Sequence, residues 1–194
     1  MSAAIGQNRP MARIVLPAEP LRDGPTALRG WRETDIDPLV EACRDPEVVR
    51  WTRVPDRYGV SDARAYLLQR YDGLETGFAA PFAIVRADDL EHLLGSISLM
   101  RLEWRHLRAE VGYWLAPEAR GAGHATRAVG LICRWGFESL GLERVELFAA
   151  TTNPLSQGVA ERSGFRREAV LRSYMTGKGE RHDMVAFGLL ASEA

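Results

Sequence analysis

Lysine is almost missing. Lys178 is the only one among 25 basic residues, and the others are all arginine. Those 25 are set against 26 acidic residues, for a formal net charge of −1. A protein that tracks phosphates along a nucleic acid carries a basic excess or stripe, so no nucleic-acid partner is expected, although a groove for one small anion remains open. Cysteine is scarce as well. Cys43 and Cys133 lie far apart, and neither has CxxC or Cys/His spacing. Both are expected to be reduced, buried, apolar side chains in a cytoplasmic protein. His92, His106 and His182 fall in predicted turns without metal spacing, so no metal is expected. No apolar run reaches the length that spans a bilayer, and the first residues lack a leader's continuous apolar stretch, so no membrane partner is expected. Internal repeats, low-complexity tracts and a second core are absent too.

What is present is enough for one domain. Apolar residues make up 46% of 194, which supports a proper core. Residues 1–25 hold several prolines and glycines and read as a partly flexible arm, with a short strand over 13–16. The domain is expected over 26–194. A short strand over 26–31 leads to a helix over 34–45, with Asp35 as a cap and Ile36, Leu39, Val40 and Cys43 inward. A loop follows over 49–60, in which Trp51 and Tyr58 stand apart from the other aromatics expected in the core. A helix over 61–74 is expected to be capped by Ser61, with Ala65, Leu68 and Tyr71 inward. The period then changes. Strands are predicted over 81–87, 93–102 and 109–116, the last with Val111, Tyr113 and Leu115 on one face and Glu110, Gly112 and Trp114 on the other. A long helix over 123–140 carries Ala125, Val129, Ile132, Gly136 and Leu140 inward, Arg127 and Arg134 outward, and stops at Gly141. A strand over 143–150 is apolar on both faces, as a doubly covered strand would be. A short helix over 153–164 and strands over 165–172 and 184–190, joined by a loop over 175–183, complete an α+β (mixed α/β) order.

The stretch ARGAGHATRA, residues 119–128, asks why two glycines stand at a helix start. A bare helix N-terminus is one answer. A dinucleotide fingerprint is a second, but the third glycine position is Thr126 and the preceding strand ends about five residues too early. The Walker pattern fails for want of GK[ST]. The third answer is an anion site. A helix N-terminus offers free N–H groups and a partial positive charge, and small residues let a phosphate approach the backbone.

Taken with their surroundings, EVGYWLAPEARGAGHATRAV and ATTNPLSQGVAERSGFRRE carry a resemblance. The chain resembles the GCN5-related N-acetyltransferase (GNAT) superfamily over about residues 26–190, and most of all the branch that acetylates ribosomal-protein N-termini. The superfamily's Arg/Gln-x-x-Gly-x-Gly/Ala loop is matched at Arg120, Gly123 and Ala125, and its Asn-x-x-Ser element at Asn153 and Ser156. The resemblance implies a central, mostly antiparallel twisted sheet flanked by helices and splayed between strands 109–116 and 143–150. It implies acetyl-CoA in that gap, held by backbone groups of Trp114, Leu115 and Ala116 and by the N–H groups of Arg120, Gly121, Ala122, Gly123, His124, Ala125 and Thr126. The His124 side chain is expected to face solvent. Asn153 would contact pantetheine, cap its own helix, or do both.

The implied activity is transfer of an acetyl group to a primary amine, on a protein N-terminus or a small molecule, by direct attack in a ternary complex. Neither cysteine lies in the matched elements, in keeping with a direct route. Ser156 matches a serine that some members use to protonate the departing thiolate, and its plain alternative is a solvated helix serine. Many relatives have a tyrosine one turn further on, where this chain has Ala160. The glutamate that some members carry five residues before the Asn is Phe148 here. Glu146 and Glu110 are the remaining base candidates, with a surface ion pair as the plain alternative for each. Segments 46–60 and 174–183 would wall the acceptor site. A homodimer is also implied, without a patch in this sequence that carries it. The absent tyrosine motivates a rival of another class, a non-catalytic acetyl-CoA-binding sensor or scaffold.

Overall fold

The computed structural model describes residues 13–194; part of the 1–25 arm lies outside them. A turn at Gly24 and Pro25 folds Leu21–Asp23 (β1) back on Thr26–Arg29 (β2). The 13–16 segment is not a strand. It is tied down instead by Ile14, buried, whose N–H donates to Leu74 O at 2.9 Å. The strand that does form in the supposed arm is β1, at the edge of the sheet.

The helix expected over 34–45 is divided. A 3-10 turn precedes Ile36–Ala42 (α1), and a second helix, Pro46–Trp51 (α2), occupies the start of the expected loop. Pro46 cannot continue a helix, because it lacks an N–H, but it suits the first turn of a new one. Asp45 caps that new helix by accepting from the N–H groups of Glu47 and Val48. Asp35 holds the N-cap position of α1 without a side-chain bond to that helix, and its carboxylate accepts the Arg32 N–H ahead of the 3-10 turn. It is buried and forms a two-pronged ion pair with Arg29, at 2.8 and 2.7 Å.

Val60–Glu75 (α3) begins at Gly59 and not at Ser61; the Asp62 carboxylate accepts the Gly59 N–H. Its inward face is Ala63, Tyr66 and Leu67, while Ala65, Leu68 and Tyr71 are exposed. Packing against Trp31 selects the face containing Tyr66, whose ring meets the indole edge-on.

Ala80–Arg86 (β3), Leu93–Glu103 (β4) and Arg108–Leu115 (β5) continue the sheet. His124–Leu140 (α4) crosses over to Arg144–Ala150 (β6), then come Pro154–Arg162 (α5), Arg166–Gly177 (β7) and Glu180–Leu190 (β8). The eight strands of the described residues lie in the order β1-β2-β3-β4-β5-β6-β8-β7. All neighbours pair antiparallel except β5 with β6. This is the mixed, mostly antiparallel sheet expected.

The amphipathic face of α4 covers one side of the sheet, with Val129, Ile132 and Cys133 against Ile97, Leu99 and Val145. The other side of β2 and β3 is covered by α1, α2 and α3 through a second cluster around Leu39, Trp31 and Leu67. β6 is not doubly covered: Val145, Leu147 and Ala149 are buried, and Glu146 and Phe148 face a more open side. β7 and β8 form one long hairpin closed by Lys178 and Gly179, both left-handed, where a loop over 175–183 was expected.

Candidate active site

The sheet is split at the one parallel pair among the described residues. β5 and β6 share three rungs, Arg108↔Arg144, Ala109↔Val145 and Glu110↔Glu146, and then part. Residues 111–115 therefore have β4 on one side and no strand on the other. The Ala116 N–H donates to Leu94 O at 2.9 Å. Alternation along the chain turns the N–H groups of Leu115 and Tyr113 the opposite way, into the gap. Close approach holds β4 against this edge: a Cβ on Gly95 would stand 2.2 Å from Trp114 O.

The glycine stretch lies at the open end of this gap. Gly121 and Gly123 both have φ of +80°, a conformation that glycine adopts without steric cost. None of the described residues comes within 4 Å of where a Cβ on Gly121 would stand. The N–H groups from Gly121 to Thr126 find no acceptor among the described residues, and the first turn of α4 carries no acidic side chain. This is a cradle for an anion on main-chain donors, and it fits a diphosphate.

Two side chains depart from expectation. His124 points inward and is buried, with Nδ1 2.8 Å from Thr26 Oγ1. Burial, then the Arg127 and Arg86 charges, hold its pKa below the ordinary value. Arg120 turns its guanidinium back, bonding Leu115 O at 3.0 Å and Asp45. Burial alone would raise the Asp45 pKa, but Arg120 and the α2 amides outweigh it and hold that carboxyl below its usual range. Arg120 thus ties the loop to α2 and presents its backbone, not its charge, to the cradle. Arg127, read from the sequence as merely outward, stands near the cradle, its Nε 4.0 Å from a Cβ position on Gly123. Its periodic position gave no sign of that proximity.

The other wall of the gap is α5. The Asn153 side chain accepts the Ser156 N–H at 3.1 Å, so its capping role is observed, and no partner for its Nδ2 occurs among the described residues. Ser156 Oγ receives a hydrogen bond from the Tyr113 hydroxyl at 3.1 Å. Ala160 is fully buried.

Glu110 and Glu146 meet at the last shared rung, where the gap begins. They project to the face away from α4 and line a cavity of about 260 Å³ with Arg101, Arg108, Phe148 and Tyr174. The Phe148 and Tyr174 rings are stacked 5.3 Å apart. Both carboxylates are paired: Glu110 with Arg101 at 2.9 Å, and Glu146 with Arg144 at 2.9 Å and Arg108 at 3.8 Å. Burial raises the Glu110 pKa, Arg101 opposes this, and Glu146 adds to it. Arg101 sits at a β4 irregularity with φ of +50°, a feature that strand periodicity does not reveal.

Cys43 and Cys133 are free and buried. Burial pushes both thiols up to about 12. Among the described residues, no three His, Cys, Asp or Glu side chains gather to hold a metal, and no helix is long and apolar enough to cross a membrane.

A mixed sheet parted at a parallel pair, with a glycine cradle at the mouth of the parting, is the arrangement that the resemblance implied. Comparison with known proteins agrees. The family described as acetyltransferase (GNAT) domain matches residues 26–166. The uncharacterized N-acetyltransferase p20 of Bacillus licheniformis is 31% identical over 86% of this chain and 93% of its own length. The ribosomal-protein-serine acetyltransferase of Escherichia coli (strain K12) is 34% identical over 50% of this chain and 53% of its own. The crystal structure of spermidine N-acetyltransferase from Vibrio cholerae, in complex with CoA and spermine, superposes with a TM-score of 0.76 at 19% identity, over 88% of this chain and 98% of that one. The chain belongs to the GNAT acetyltransferases and is an N-acetyltransferase.

Proposed function

We propose that the protein moves the acetyl group of acetyl-CoA to a primary amine by direct attack in a ternary complex. The observation that carries this is the coincidence of two sets of main-chain N–H groups without an acceptor among the described residues, those of Tyr113 and Leu115 along β5 and those of Gly121–Thr126 at the start of α4, at one gap in the sheet. The first set and Asn153 would hold pantetheine, and the second the diphosphate. Bound acetyl-CoA supplies the activated thioester.

The chain's own groups have three tasks. Glu110 takes a proton from the incoming ammonium, directly or through a water. It is favoured over Glu146 because burial raises its basicity, whereas Glu146 is held by two arginines. The Leu115 N–H donates to the oxygen on which charge develops. Ser156 gives a proton to the departing sulfur. Two buried thiols pushed up to about 12 are poor candidates for a covalent intermediate, which supports the direct route.

The relatives named above act on a ribosomal protein and on spermidine, so the acceptor is proposed only as a primary amine. The 260 Å³ cavity, with carboxylates and a stacked aromatic pair, suits such a group. Measuring coenzyme A thiol release with N-terminal peptides, polyamines, aminoglycosides and amino acids tests the reading. Release with one class supports it. Tight acetyl-CoA binding without release from any class would favour the sensor or scaffold.

A further inference from the structure

One side-chain hydrogen bond spans the gap. Among the described residues, Tyr113 to Ser156 is the single such bond joining 111–116 to 147–163. It links the unpaired half of β5 to the first turn of α5 across 43 positions of sequence. Its direction matters. The phenol donates and the serine oxygen accepts, so the serine's own proton is left to point elsewhere. No other acceptor for that proton occurs among the described residues, and Asn153 engages only the Ser156 main-chain N–H.

We propose that Tyr113 is a positioning residue for the leaving group: it fixes the Ser156 hydroxyl so that its proton is presented to the departing thiolate, and it replenishes that proton. This rests on the acetyltransferase reading. A phenol reaching the start of α5 from β5 would take the place of one that Ala160 cannot supply. The proton balance closes. The thiolate takes the Ser156 proton, Ser156 takes the Tyr113 proton, and solvent returns one to Tyr113, matching the proton lost by the amine. Burial keeps the phenol protonated, the Ser156 bond and the Arg162 charge opposing it without reversing the direction. The Arg162 guanidinium lies folded along α5 over Gly158.

The test reads the ionisation of bound coenzyme A, which needs no acceptor. Thiolate absorbance of reduced coenzyme A is titrated on the wild type, Tyr113→Phe, Ser156→Ala and the double variant. Phenylalanine keeps the ring and removes only the hydroxyl. In the wild type the bound thiol should ionise below the free one. Both single variants should raise the midpoint by about one pH unit, the scale of one hydrogen bond to a charged group. The double variant should match Ser156→Ala. Once an acceptor is found, Tyr113→Phe should lower kcat about tenfold with KM for acetyl-CoA unchanged. A midpoint in Tyr113→Phe equal to wild type, or a double variant shifted by the sum of the two, overturns the proposal. Failure of the wild type to bind coenzyme A at all overturns the acetyltransferase reading, and this proposal with it.

Discussion

Arg29 and Asp35 are nearly inaccessible, with side chains 4% and 1% exposed. Arg29 also bonds Leu90 O and Gly30 O, and Asp35 accepts the Arg32 N–H, so no polar atom of the pair is left over at this junction of β2 and α1. Removing one partner strands the other charge in the core. Asp35→Ala should therefore cost about 3–5 kcal/mol in urea unfolding, far above a surface pair. A loss under about 1 kcal/mol would contradict this account. Glu110 offers a second test at the same scale. A base must be unprotonated to work, so a raised pKa moves the acid limb of the rate profile upward in pH. Arg101→Met removes the charge that opposes the rise and should move that limb further up. A profile unchanged in this variant would mean that Glu110 is not the base. Neither pair could be read from the chain, since ion-pair partners are chosen by folding and not by spacing; His124 was misjudged for the same reason, its partner Thr26 lying 98 residues away.

At the scale of elements, what could be read was governed by local rules. α4 was legible because its apolar stripe is long and Gly141 ends it in a left-handed conformation. α2 was missed, although Asp45-Pro46 is a good cap and first turn, because six residues give too short a stripe to see. The β7–β8 hairpin was cut short because its outer half packs on little, so apolar alternation fades while pairing continues to Gly177↔Glu180. The tip of that hairpin reaches the α2–α3 segment: Lys178 Nζ bonds Val54 O at 2.7 Å and Asp56 at 2.8 Å. The sole lysine thus joins the two walls of the proposed acceptor site. Lys178→Met should leave the thermal midpoint unchanged, since the pair is exposed, but speed amide exchange across residues 54–58. Equal exchange in the two proteins would show that the clasp does not order the wall.

At the scale of the molecule, the class and the order of the elements other than β1 and α2 followed from periodicity, and the resemblance supplied the gap. The gap's cause is a matter of register. Three rungs join β5 to β6, the strands then diverge, and the freed main chain of β5 faces the cradle at the start of α4. Register is set by contacts among distant strands, which periodicity along one strand does not encode. The proposed activity depends on that cradle being formed by amides and not by side chains. Ala122 tests this without disturbing the backbone: it is exposed and, unlike Gly121 and Gly123, not left-handed. Calorimetric titration of acetyl-CoA into the wild type and Ala122→Glu should show affinity falling roughly 100-fold in the variant, about 2.8 kcal/mol, with the thermal midpoint of the free protein unchanged. Equal affinity in the two proteins would contradict the account.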